Sequence, residues 1–189
     1  MTAPRPAATR AVAMPRSAIR EIMALAAGRP EVIHLEVGDP DLDTPAAIAA
    51  ALDRAVRDGA THYAPNAGLP ALRAAIAARC AARTGTAVTA EQVVVTVGAV
   101  NALFVALFAL LDAGDELLVP DPGWPNYASI CHLAGAVARP YPMPAEAGFL
   151  PDPAQLRAMI GPRTKALLLN TPGNPSGAVF PATLMRNLA

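Results

Sequence analysis

Residues 93–127 read VVVTVGAVNALFVALFALLDAGDELLVPDPGWPNY: a β-branched run, a glycine, an apolar stretch of helical length, a second apolar run and a proline-crowded loop. Valines bounded by glycine predict a strand at 93–97, and the apolar stretch predicts a helix at 99–111. A strand at 116–119 and a helix at 126–134 follow. The alternation continues with strand 137–141, a proline-opened helix at 153–160 and strand 165–169. Four strands alternating with three helices make serial βαβ units, whose crossover handedness builds a parallel sheet covered on both faces. The expected fold class is α/β.

Upstream the pattern is different. Residues 1–14 are proline-rich and unpatterned and predict a flexible arm. A helix is expected at 15–27, opened by Pro15 and closed by Gly28, then a short strand at 32–35. In the loop EVGDPDLDTP, Gly38, Pro40 and Pro45 break any regular period. Thr44 and Pro45 predict the N-cap and first turn of a helix over 46–58, and Pro70 opens another that runs to about residue 83. Between them lies THYAPNAGLP, with Tyr63 its only aromatic. The last element starts at Pro181 and stops at Ala189, short of the usual ~11 residues, which predicts a cut chain.

At 189 residues and 53% apolar content the chain can bury a core, although a light one, because much of that content is alanine. Fifteen acidic and fifteen basic residues leave no net charge, which removes the footprint of a nucleic-acid or anionic-membrane binder and favours a small neutral or amphoteric partner. The longest apolar run, residues 102–111, is well short of the ~20 residues that cross a bilayer. Four arginines and no acid in the first twenty residues are similar to a transit peptide, but an uncleaved arm and cytoplasmic residence are the expectation. Cys80 and Cys131 lack CxxC spacing, and His34, His62 and His132 are dispersed. Glu36, Asp39, Asp41 and Asp43 share a loop but lack an EF-hand pattern, so no metal is expected. Lys165 is the only lysine.

Ligands of parallel α/β sheets sit beyond the carboxyl ends of the strands. Three loops there are conspicuous: VGAVN, PDPGWPNY and NTPGNPSG. Gly98 allows a turn from strand directly into helix, leaving the free amides of Ala99 and Val100 and the positive helix end for an anion, most simply phosphate; the alternative is a tight turn and nothing more. Trp124 can offer a flat face to a flat ligand or pack in the core. Asn174, held by the proline after it, can bond a ligand or organise a turn. GxxxxGK[ST] and GxGxxG are both absent.

Together LEVGDPDLDTP, HYAPNAGLPALRAAIA, the 93–127 block and PRTKALLLNTPGNPSGAVF resemble, in order and spacing, the class I/II aminotransferases, the aspartate aminotransferase-like branch of the fold type I pyridoxal phosphate enzymes. The resemblance implies a three-layer large domain, incomplete here and spanning 45–189, preceded by a flexible arm at 1–14 and a small-domain segment at 15–44. It implies pyridoxal 5'-phosphate as cofactor, with Gly98, Ala99 and Val100 at its phosphate, Trp124 stacked on its ring and Asn174 on its phenolic oxygen. Gly38 is placed near the substrate carboxylate. Tyr63 is lent to the neighbouring subunit's phosphate in a homodimer. Cis bonds are common in the family before the prolines matching Pro122 and Pro175. Val100 departs from the polar side chain that many relatives carry beside the phosphate. The family's Schiff-base lysine, its aspartate on the pyridine nitrogen and its substrate-binding arginine fall beyond residue 189, so no catalytic residue is expected in the chain. Lys165, at the start of its strand, lies roughly 15 Å from the ligand edge. The implied activity is transfer of an amino group between an amino acid and a 2-oxo acid, with the 189 residues inactive alone. A carbon–sulfur lyase or decarboxylase-like reaction on the same scaffold, an aminotransferase-like effector domain of a transcription regulator and the nonfunctional product of a truncated frame remain as alternatives. The regulator lacks support from any basic recognition helix.

Overall fold

The run ELLVPD is buried over its first five residues, which suits a strand with neighbours on both sides. It forms β1 (Glu116–Asp121), the middle strand of a parallel sheet ordered β2–β1–β3, with β2 (Val137–Pro142) and β3 (Thr164–Leu167). Glu116 stands opposite Val137, and the β1–β2 register continues without a break to Asp121 opposite Pro142. On the other side Glu116 pairs with Thr164 and Leu117 with Ala166, with an irregularity between them.

This computed structural model describes residues 7–14 and 17–189; the expected arm residues 1–6 and the helix opening at Pro15 lie outside them. The chain forms two compact units, one of 103–189 with the N-terminal residues up to Glu21, the other of Ile22–Ala102.

Helices of the sheet unit follow local signals. α1 (Thr9–Val12) is a single turn within the stretch expected to be unpatterned. It packs on α6 (Asn126–Ala134), where His132 Nε2 lies 2.9 Å from the Arg10 carbonyl oxygen. α7 (Pro153–Met159) has Pro153 in its first turn and is capped by Asp152, whose carboxylate accepts from the Ala154 amide at 2.8 Å. α8 (Ala182–Leu188) closes the chain. In the second unit lie α2 (Ala18–Ala26, of which Ile22 onward belongs here), α3 (Ala46–Arg57) and α4 (Pro70–Thr84). α5 (Gly98–Leu110) carries the chain from the second unit into the first.

The side-chain period of two sends alternate residues of β1 to opposite faces of the sheet. Leu117 and Val119 join Leu107, Leu111, Tyr127, Ile130 and Cys131 under α5 and α6. Leu118 joins Tyr141, Met143, Leu156 and Phe180 on the α7 and α8 side. The three-layer α/β arrangement follows from this. Burial raises the Cys131 thiol pKa, as befits a core residue with no exposed surface.

Three expectations are corrected. Residues 93–97 are extended but pair with no strand among the described residues, so the sheet has three strands rather than four. Among the described residues their one backbone–backbone bond to another segment runs from the Val95 amide to the Ala67 carbonyl. Residues 32–35 are likewise not a strand, since nothing described supplies a ladder. The N-cap of α3 is Pro45, with no side-chain cap: the helix starts at Ala46 as expected, which leaves Thr44 one residue before the cap, too early for its hydroxyl to reach the free amides.

Glu116 ties the amino-terminal ends of the strands together. Its carboxylate accepts from Arg139 Nη1 at 2.8 Å, Arg163 Nη2 at 3.2 Å and Thr164 Oγ1 at 3.4 Å. The same Arg139 nitrogen donates to the Met159 carbonyl at 3.0 Å. The hydrogen bond from Arg139, followed by the charges of Arg139 and Arg163, holds the Glu116 carboxyl below its ordinary pKa. A carboxyl depressed in the folded state stabilises above its unfolded pKa, and that contribution is lost as pH falls through the folded value. Glu116→Gln is therefore expected to flatten the acid limb of the unfolding midpoint plotted against pH below about 4.3, the ordinary glutamate value. An unchanged acid limb would remove this role. Leu118→Ala, at a position with no exposed surface, is expected to cost about 2–5 kcal/mol in urea unfolding.

Candidate active site

β1 and β3 are neighbours and parallel, so the loops that leave their carboxyl ends share one edge of the sheet. From β1 the chain enters a cis Asp121–Pro122 bond, then Gly123 and Trp124. A Cβ on Gly123 would sit 2.2 Å from the Pro120 carbonyl oxygen, so the turn closes only around a glycine. Trp124 is half-buried, packed against the Leu117 cluster and edge-on to Tyr127, with ring centroids 5.5 Å apart and planes at 80°. It also borders an open cavity of about 270 Å³ with Val119, Asp121, Tyr127 and Pro140. Core packing and cavity-lining surface thus coexist in one indole.

Beyond β3 the Leu168 amide still donates to Leu118 at 2.9 Å, and the buried Tyr141 hydroxyl donates to the Leu168 carbonyl at 2.9 Å. Burial pushes the Tyr141 pKa up strongly, so this hydroxyl stays a donor. The loop 170–177 is then held by its own polar groups. Asn170 Oδ1 accepts from the Asn174 amide at 3.0 Å, and Thr171 Oγ1 from the Phe180 amide at 2.8 Å. Gly177 N donates to Gly173 O at 2.7 Å. Thr171–Pro172 and Asn174–Pro175 are cis, and Asn174 is exposed.

Gly98, Ala99, Val100, Gly38 and Tyr63 belong to the second unit. Residues 93–97 lie outside the three-stranded sheet among the described residues, so the sheet itself carries two of the three expected loops. The VGAVN turn is nonetheless built as a helix entry. Gly98 has φ +81°, its amide donates to Thr96 O at 2.9 Å, and Asn101 Oδ1 accepts from the Val97 amide at 3.3 Å. Ala99 and Val100 are exposed in the first turn of a thirteen-residue helix, where no intrahelical carbonyl can satisfy the amides. Tyr63 is fully exposed, beside Thr61, His62 and Ala64 around an open cavity of about 570 Å³. Gly38 lies on an exposed loop, two residues after Glu36, whose carboxyl is lowered chiefly by its hydrogen bond with His34.

The sequence model of the family "Aminotransferase class I and II" matches residues 30–189. The chain belongs to the class I and II aminotransferases. It is 45% identical over 159 residues to a probable aspartate/prephenate aminotransferase of Thermus aquaticus, covering 84% of this chain and 42% of that one. It is equally identical, over 159 residues, to an arginine–pyruvate transaminase of Pseudomonas aeruginosa, covering 84% of this chain and 40% of the relative. The structure superposes on the Thermus thermophilus aspartate aminotransferase solved with maleate at a TM-score of 0.93 and 41% identity, over 97% of this chain and 49% of that chain. The chain thus spans less than half the length of these relatives. Fold type I aminotransferases depend on pyridoxal phosphate, and the chain carries part of the parallel α/β domain of that fold.

The residues present fit that cofactor. A glycine-led helix start offers backbone amides and a positive dipole end to a phosphate, a half-buried indole beside a cavity offers a flat apolar face, and an exposed, loop-anchored Asn offers an amide. Sequence reasoning missed the supports: Asn101, Asn170, Thr171 and Gly123. Asn and Thr within a few residues of a glycine- or proline-rich turn are the signal, since their side chains bond nearby backbone. Among the described residues no group of three or more His, Cys, Asp or Glu could hold a metal ion, and no helix is long and apolar enough to cross a membrane.

Gly123→Ala is expected to force the Pro120–Trp124 turn open at a cost of about 1–3 kcal/mol. Trp124 is the only tryptophan, so its fluorescence reports the change directly. The expected result is an emission maximum shifted to longer wavelength; an unchanged spectrum and stability would show that the turn tolerates a side chain.

Proposed function

We propose that the complete protein is a pyridoxal phosphate-dependent aminotransferase that moves an amino group between an amino acid and a 2-oxo acid, acting as a cytoplasmic homodimer. The observation that supports this best is the pairing, on one sheet edge, of a half-buried Trp124 beside a cavity with an exposed Asn174 whose backbone is fixed by Asn170. The matched region is as similar to an arginine–pyruvate transaminase as to an aspartate/prephenate aminotransferase, so the reading is of the reaction class and not of one donor.

Bound pyridoxal phosphate supplies the electron sink for the reaction. In this reading the chain's own residues hold and orient it. The amides of Gly98, Ala99 and Val100 take the phosphate, the Trp124 indole covers one face of the ring, and the Asn174 amide donates to the phenolic oxygen. Gly38 leaves room for the backbone to approach the substrate carboxylate, and Tyr63 donates its hydroxyl to the phosphate held by the partner subunit. For the complete protein we retain an arm at 1–14, a small-domain segment at 15–44 and a cofactor-binding large domain from 45 onward. Lys165 is the second residue of β3, exposed, and five residues before Asn170, so it stands roughly 15 Å from the ligand edge and takes no part in the transfer.

Two measurements test this. Titrating the 189-residue chain with pyridoxal phosphate is expected to quench Trp124 fluorescence, and Asn174→Ala to weaken that binding about five-fold, the worth of one net hydrogen bond. Incubation with amino acids, 2-oxo acids and cofactor is expected to yield no transfer by this chain, whereas the complete gene product transfers the amino group. Turnover by the 189 residues would overturn the assignment of Lys165, and release of a thiol by the complete protein in place of transfer would identify a carbon–sulfur lyase.

A further inference from the structure

Within the second unit, separate contacts bind the loop that carries Tyr63 to the stretch that leads into Gly98. The Val95 amide donates to the Ala67 carbonyl at 2.9 Å. Arg73 Nε, from the first turn of α4, donates to the Val93 carbonyl at 2.8 Å. Gly68 lies so near Val95 that a Cβ on it would be 2.6 Å from the valine Cγ2. Residues 93–97 have no strand partner among the described residues, so these few contacts set where that stretch lies.

We propose that Arg73 is a positioning residue that makes the 61–70 loop and the 96–100 turn one body. The inference rests on the reading above, in which that turn binds the cofactor phosphate and Tyr63 serves the neighbouring subunit's phosphate. One guanidinium then governs both: it places the phosphate turn of its own site and, through Ala67 and Gly68, the tyrosine lent to the other. The bond that Arg73 donates, rather than its charge, is what joins the two segments. That charge contributes only a small part of the lowering of the Glu91 carboxyl, which is due first to the Thr89 side chain.

Two substitutions separate the bond from bulk and charge. A glutamine amide nitrogen stands the same number of bonds from the backbone as arginine Nε and also donates, whereas methionine has that length without a donor; both remove the charge. In the 189-residue chain, Arg73→Met is expected to speed amide exchange about five-fold, the worth of one net hydrogen bond, both in the loop 61–70 and at 95–100, and Arg73→Gln to restore it to within two-fold. Trp124 quenching is expected to show about five-fold weaker binding of pyridoxal phosphate in Arg73→Met, with binding of pyridoxal, which lacks the phosphate, unchanged. If exchange at 96–100 is unaffected by Arg73→Met, or Gln fares no better than Met, the proposal is overturned. If the parent chain shows no pyridoxal phosphate quenching, the cofactor reading fails, while the exchange pattern still decides for or against the clamp.

Discussion

Strand β1 hydrogen-bonds to β2 along one side and β3 along the other, in parallel on both sides, and the sheet unit is organised around that arrangement. Because the strands are parallel, each must be followed by a crossover that returns the chain to the same starting edge. The turns that leave β1 and β3 therefore emerge side by side. That is why Trp124 and Asn174, fifty residues apart in sequence, are carried on one edge, while the Glu116 cluster with Arg139 and Arg163 occupies the opposite one. One edge uses charge to fix the strand starts; the other carries glycine, proline, tryptophan and amide groups, with Asp121 at the end of β1.

Those emerging loops are stiffened by side chains bonding to nearby backbone. Asn170 holds the Asn174 amide, Thr171 holds Phe180, and Asn101 holds Val97 at the entry to α5. A residue that recognises a ligand by one hydrogen bond is useful only if its own backbone is already placed, since ordering it on binding would consume much of the bond's net worth. The short polar side chains beside the turns perform that placement, and they are distinct from the residues that face the ligand in the proposed reading.

The second unit is lightly packed. Its buried apolar residues are Ala26, Ala77 and Val93, and Ile48, Leu52 and Val56 on α3 remain largely exposed. In such a unit single hydrogen bonds carry a larger share of local geometry than they would under a dense core. The Arg73–Val93 and Val95–Ala67 bonds matter for that reason: they connect segments that neither strand pairing nor a large apolar cluster would otherwise bring into register.

What the sequence determined by itself was local or periodic. Alternating apolar runs and helical stretches set the α/β class, α6 runs over the expected 126–134, and glycine- and proline-rich junctions marked the loops that leave the carboxyl ends of β1 and β3. Those signals lie within a few residues of where they act. The tertiary structure alone decided whether an extended run becomes a strand. The valine-rich run 93–97 is more β-branched than β1, yet among the described residues no neighbour supplies a ladder, and the same holds for 32–35. It also decided that Thr44 would not cap α3, that Trp124 would be half core and half surface, and that Arg73 would reach a carbonyl twenty residues away. The physical reason is the same in each case: a hydrogen bond or a buried face belongs to two segments at once, and the second is not written beside the first.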